Sequence, residues 1–192
     1  MTGRTIEKIK AALPDKTDRP FLFALDGRCA SGKTTLASAL REAVGCGVIH
    51  MDDFFLRPEQ RTEERLSQPG GNVDRERFLQ EVLLPLKRGE SFSYRPYDCR
   101  THGFKEPVRI EPERLMLIEG SYSCHPLLWD YYDLHIFLTV SPKEQLRRIE
   151  NRGGAAVLDS FISKWIPLEE RYFEAFSVKE RCELCFDTEG AE

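Results

Sequence analysis

Long apolar runs are missing from this sequence. None approaches the ~20 residues a helix needs to cross a bilayer, so no membrane partner is expected. The opening stretch, Met1 to Lys10, is polar and carries no apolar signal core, so a cytoplasmic location is expected. An excess of basic residues is also absent: 28 Lys and Arg face 32 Asp and Glu, for a net charge of −4. General nucleic-acid binders need a basic surface, so that class is set aside, although a local basic pocket is still allowed. Cysteines in metal-site spacing are lacking. Six are scattered (Cys29, Cys46, Cys99, Cys124, Cys182, Cys185), and Cys182-Glu-Leu-Cys185 stands alone in an apolar segment. Buried, reduced thiols are expected from them, with redox or metal use as the alternative. No repeat or low-complexity run interrupts the chain, and 192 residues suffice for one domain with a sizeable core.

What is present centres on Phe21 to Leu36. Phe21-Leu-Phe-Ala-Leu25 reads as a buried strand. Gly27-Arg-Cys-Ala-Ser-Gly32-Lys33-Thr34 follows as a P-loop, and a helix then carries Leu36, Ala39, Leu40 and Ala43 on one face. The chemistry requires these residue types. Glycines let backbone N–H groups converge on phosphate oxygens, and the helix N-terminus adds partial positive charge. Lys33 is a point charge for the β/γ-phosphates, and the Thr34 hydroxyl is a hard oxygen suited to Mg²⁺. Gly27, Ala30, Ser31, Gly32, Lys33, Thr34 and Thr35 are the expected ATP contacts.

Around this unit the chain alternates strands and helices. An amphipathic helix is expected over residues 3–13. Further strands are expected at Val48–Met51, Leu115–Ile118, Leu134–Leu138 and Cys182–Phe186. Helices are expected from Val73 to Gly89, from Ser141 to about Arg152, and from Ala155 to Phe176 with an interruption near Pro167. This predicts an α/β fold with a five-stranded, mostly parallel sheet covered by helices on both faces. Residues 57–72 read as a long polar loop, functional or mobile. Residues 91–110 break the alternation with a β-hairpin-like excursion, which suits a substrate pocket.

A P-loop does not say what is done with the triphosphate. A guanine-reading Asn-Lys-x-Asp is absent, and the chain is short for a motor or transporter ATPase. A small-molecule kinase remains, and it needs a carboxylate to orient the acceptor hydroxyl. Asp52 follows the second strand and is the candidate, with a solvated loop acid or helix cap as its bland alternative. Asp53 and Glu119 are candidates for the Mg²⁺ surroundings, Glu119 because it ends a buried strand. Arg148 and Arg152 share a helix face before Gly153-Gly154, a hinge candidate, and fit a lid over about 150–165 that brings arginines to the transferring phosphate. Pairing of Arg148 with Glu144 is the competing reading.

Five pieces in order carry a resemblance: Gly27–Thr35, Asp52-Asp53-Phe54-Phe55, Val73-Asp74…Phe78, Pro96-Tyr97-Asp98…His102 and Leu117-Ile118-Glu119-Gly120. The chain resembles the uridine kinase family of P-loop kinases over nearly its whole length. The resemblance implies a single P-loop kinase domain over 1–192, using ATP (or GTP) and Mg²⁺. It implies Asp52 as general base toward a nucleoside 5′-hydroxyl, with Lys33 and the lid arginines as catalytic cations. Asp74 would bind ribose hydroxyls, Tyr97 and His102 would line the base pocket, and Thr34, Glu119 and Asp53 would surround the metal. Asp74 has a rival role as a helix N-cap. Pro69-Gly-Gly-Asn72 departs from the better-known nucleoside kinases, which leaves pantothenate, nicotinamide riboside or a sugar open as acceptor. A non-catalytic ATP-binding module is the reading from a different class. Homo-oligomerisation is left open.

Overall fold

The computed structural model describes residues 3–189; the ends of the expected 1–192 domain, 1–2 and 190–192, lie outside the described residues. Five strands form one parallel sheet in the order β2-β7-β1-β8-β9. They are β1 (Phe21–Gly27), β2 (Gly47–His50), β7 (Leu115–Glu119), β8 (Leu134–Thr139) and β9 (Leu184–Asp187). The central strands read as unbroken apolar runs because both faces are covered. Alternation still sorts them. Leu22 and Ala24 of β1, with Met116 and Ile118 of β7, enter one core; Phe23 and Leu25, with Leu115 and Leu117, enter the other. The second core is closed by α1 (Gly3–Ala12) and α2 (Lys33–Val44). On α2 the buried face is Lys33, Leu36, Ala37 and Leu40; Ala43, expected there, faces solvent.

The first core is closed by α4 (Arg75–Phe78), a π-helical turn (Leu79–Leu83) and α5 (Leu84–Arg88), and by α8 (Ile166–Phe176). A second π turn, Phe161–Trp165, joins α7 (Pro142–Ser160) to α8. Both π turns precede a proline at the second residue of the next helix, Pro85 and Pro167. Proline has no N–H for the i−4 carbonyl, so the residue before it bonds five back: Leu84 N to Leu79 O and Ile166 N to Phe161 O. The expected break near Pro167 is therefore a widened turn just before it. The true departure from helix lies at Gly154, whose φ of 74° and ψ of −178° are non-helical.

Two segments outside the sheet wall one end of it. Residues 57–72 are folded rather than a bare loop. They carry a 3₁₀ turn, Pro58–Gln60, and α3 (Glu63–Ser67), N-capped by Thr62. Arg65 holds them by donating to the carbonyls of Gly71 and Val73 and to Glu76. The excursion is two nested ladders, β3 (Phe92–Tyr94) with β6 (Val108–Ile110) and β4 (Tyr97–Asp98) with β5 (Gly103–Phe104). Pro96 lies between them, where no ladder bond needs its missing N–H. Cys46, Cys124 and Cys182 are buried, but Cys99 and Cys185 are exposed, so the expectation of buried thiols fails for those two. Among the described residues, no helix is long and apolar enough to cross a membrane.

Candidate active site

Parallel strands bring their carboxyl ends to one edge, where ligands bind in open α/β sheets. Gly27, His50, Glu119, Thr139 and Asp187 end the five strands there. A cavity of about 680 Å³ opens above them. Gly27 is required at the turn: its φ is +134°, and a Cβ would stand 1.9 Å from the Leu138 carbonyl oxygen. Gly32 precedes α2 at φ 95° and contributes no side-chain cap. The first N–H groups of a twelve-residue helix thus receive no cap from the N-cap side chain, beside a buried Ser31 hydroxyl that has no partner among the described residues. Ala30, at φ 57°, keeps the loop concave. These features fit a bound phosphate chain.

Lys33 is folded back onto the loop. Its Nζ donates to Gly27 O (2.7 Å), Arg28 O (2.9 Å) and Ser121 Oγ (3.3 Å). Thr34 Oγ1 donates to Glu119 (3.2 Å), which also meets His50 Nδ1 at 2.5 Å. That bond to Glu119 raises the His50 pKa. Thr34 and Glu119 supply hard oxygens, the donor type Mg²⁺ takes. Among the described residues, no three His, Cys, Asp or Glu form a cage. A cation here would therefore lean on phosphate and water oxygens, as Mg²⁺ does beside a nucleotide.

Asp52 lines the same cavity, in the 3₁₀ turn Met51–Phe54 that follows β2. Met51, expected in the strand, belongs to this turn. The carboxylate opens to the cavity with protein packed around it. Burial raises its pKa, Lys33 opposes, and Glu119 reinforces the rise. The turn sends Asp53 elsewhere, to accept from Tyr94 Oη at 2.9 Å. Arg148 and Arg152 also line the cavity. Arg148 pairs with Glu144 and reaches Ala30 O (3.3 Å) and Thr188 O (2.9 Å), and Arg152 lies 5.9 Å from the Phe161 ring centre.

Asp53, Asp74, Tyr97 and His102 are not among the residues lining the cavity. Asp74 caps α4: Oδ1 accepts from Arg77 N, and Oδ2 accepts from Gln60 Nε2 at 2.7 Å. Both oxygens are engaged. Tyr97 is buried against Phe104, and its hydroxyl has no partner among the described residues. His102 is exposed between β4 and β5.

Sequence reasoning missed a second tier. Glu169 of α8 lines the cavity, 5% exposed; it accepts from Cys29 N (2.9 Å) and Ser121 Oγ (2.6 Å). Its neighbour Glu170 pairs with Arg28. Asp26, fully buried under the loop, accepts from the N–H groups of Gly27, Tyr122 and Cys124 and from Tyr172 Oη. Burial still outweighs these donors and lifts its pKa to about 6. An acid directly after the apolar run Phe21–Leu25 was a readable signal for Asp26. Nothing local marked Glu169.

Comparison with known proteins gives four findings. A family model described as an AAA domain matches residues 24–164. Nicotinamide riboside kinase 2 of Mus musculus is 33% identical over 138 residues, covering 68% of this chain and 67% of that one. Uridine kinase of Halobacterium salinarum is 29% identical over 171 residues, covering 80% and 75%. Among solved structures, one titled as a possible uridine kinase from Bacillus stearothermophilus superposes at TM-score 0.73 with 22% identity, over 96% of this chain and 98% of that one, a likeness of fold.

Proposed function

Given that the chain belongs to the AAA-domain family of P-loop proteins, and within it to the uridine kinase-like P-loop kinases, we propose that it transfers the γ-phosphoryl group of ATP (or GTP) to the 5′-hydroxyl of a nucleoside, uridine or cytidine first. The observation that carries this is a single cavity lined by both Lys33 and Asp52.

The residues divide the work as follows. Uncapped N–H groups of α2 and the loop take the phosphate chain. Lys33 turns a donor to the β/γ oxygens, and its longest bond, to Ser121, is the one that yields. Asp52 accepts the proton of the attacking hydroxyl as the new O–P bond forms and the bond to the β-phosphate oxygen breaks. Its raised pKa brings it closer to the range where a base works at neutral pH. Arg148 and Arg152 face the transferring group from α7, and residues 150–165 act as the lid that excludes water. Thr34 and Glu119 would hold Mg²⁺, which neutralises phosphate charge when bound.

ADP release, coupled to a colour reaction over a panel of nucleosides, tests the proposal. Turnover of uridine or cytidine is expected. Asp52→Asn should lower it by ~10²–10⁴-fold while retaining ATP binding. Absence of turnover with every nucleoside removes the acceptor assignment. A second reading, nicotinamide riboside as acceptor, is favoured by the mouse relative.

A further inference from the structure

With Asp74, Tyr97 and His102 outside the cavity, other residues make the wall that segments 55–72 and 91–110 contribute: Phe55, Arg61, Leu66, Asn72 and Cys99. Four are uncharged. Partial burial of the Cys99 thiol raises its pKa, and the thiol stands within electrostatic reach of both Arg61 and Asp52. Asn72 is buried, and its amide hydrogen-bonds the Tyr122 phenol. Arg61 is therefore the sole charged side chain of this wall among the described residues. Its Nε is pinned by Leu56 O at 3.0 Å, and Nη2 makes a weak contact with Cys99 Sγ at 3.8 Å. A guanidinium has five N–H donors, so this leaves it oriented but with donors to spare. Asp52 lies within electrostatic reach of Lys33 and of the cavity's other two acids, Glu119 and Glu169.

We propose that Arg61 sets the class of acceptor: the wall takes an alcohol whose remote end offers carbonyl or carboxylate oxygens, and it turns away one whose ring is cationic. This rests on the kinase reading above and divides its two acceptors. A uracil ring is neutral and rimmed with carbonyl oxygens, which match guanidinium donors. The ring of nicotinamide riboside carries a positive charge, which the fixed guanidinium repels. Phe55 and Leu66 suit either flat ring, so the charge makes the distinction.

The test compares kcat/KM for uridine and for nicotinamide riboside in the wild type, Arg61→Gln and Arg61→Glu. Arg61 is exposed, so the fold should tolerate both changes; the thermal midpoint checks this. The wild type should favour uridine by ~10-fold or more, which is about 1.4 kcal/mol. Arg61→Gln should erase most of that ratio through the uridine KM, with kcat little changed. Arg61→Glu should invert it, and added salt should shrink the wild-type preference. An unchanged ratio in both variants overturns the proposal. So does a wild type that prefers nicotinamide riboside, although the kinase reading would then stand. If neither riboside reacts but a carboxylate-bearing alcohol such as pantothenate does, and Arg61→Gln raises its KM, the nucleoside reading falls and the role of Arg61 holds.

Discussion

The two walls of the cavity are built by opposite means. The phosphate wall is main chain. Gly27 to Thr35 runs directly from a central strand into a helix, with a core on either face, and its donors are backbone N–H groups. The acceptor wall is side chain. It comes from short turns outside the sheet, tied together by Arg65 to Gly71 and Val73, by Gln60 to Asp74, and by Arg77, whose guanidinium lies 4.2 Å from the Phe54 ring centre and donates to Arg95 O. A backbone site demands particular glycines at particular spacing. A side-chain site can be rebuilt by substitution without moving the scaffold, so the first wall fixes the class of reaction and the second is where acceptor preference can change.

The contrast breaks first at Gly27. If the phosphate wall is set by backbone geometry, one methyl group there should damage fold and site together. Gly27→Ala places a carbon into the Leu138 carbonyl and holds a strained φ. A loss of roughly 3–5 kcal/mol is expected in urea unfolding, a large share of a typical domain's stability. Nucleotide binding should go with it. A Gly27→Ala variant that stays stable and binds ATP normally would show that the loop tolerates rearrangement.

A smaller effect is expected where one side chain supports the backbone wall. Glu169 holds Cys29 N–H and Ser121, and Ser121 holds Lys33. Glu169→Gln keeps the shape but places an amide where two donors point. Hydrogen bonds to a charged acceptor are stronger than neutral ones, so kcat/KM for ATP should fall ~10- to 100-fold with a nearly unchanged thermal midpoint. Glu169→Asp should recover less than half of the loss, because the shorter side chain cannot span both donors.

These two positions also mark what sequence could reveal. Gly27 is legible because a fixed spacing of glycines has one physical use. Asp52 and Glu119 were placed from a general rule about strand ends. Glu169 is 140 residues from the N–H it accepts, and its helix follows a π turn that re-phases the face. Local periodicity cannot anticipate that. Asp74 was readable as a cap, but its second partner, Gln60, was not, because residues 57–72 looked structureless until Arg65 folded them. A hairpin-like excursion over 91–110 followed from alternation, whereas its two nested ladders and the absence of Tyr97 and His102 from the cavity lining did not.

Asp26 supports a prediction about pH. Its folded pKa, about 6, lies above the ordinary value of 3.8, so the folded state binds its proton more tightly. Its contribution to stability is present below about pH 3.8 and declines as pH rises to about 6. His125 opposes this: burial first, then Arg75, lowers its pKa to about 4, so its contribution increases as pH rises from 4 to 6.5. Global unfolding therefore mixes the two, and carbon-detected NMR of the Asp26 carboxyl separates them. The Tyr172 hydroxyl favours the ionised form. Tyr172→Phe should push the Asp26 midpoint higher and cost about 1–2 kcal/mol. An unmoved midpoint would mean that α8 is not coupled to the floor of the loop.

The smallest effect belongs to the acceptor side, and it sharpens the comparison most. Tyr97 is 4% exposed, with a hydroxyl unpaired among the described residues. If the hairpin only shapes the wall from behind, Tyr97→Phe removes a desolvated oxygen and leaves the ring on Phe104. Stability should then hold or rise by up to ~1 kcal/mol, and KM for any acceptor should stay within about twofold, which is a few tenths of a kcal/mol. His102→Ala, at an exposed loop tip, should do as little. A tenfold rise in acceptor KM for Tyr97→Phe would mean that the hairpin turns its phenol into the cavity once an acceptor binds. The acceptor wall would then be made on binding rather than beforehand, in direct contrast to the preformed loop that faces it.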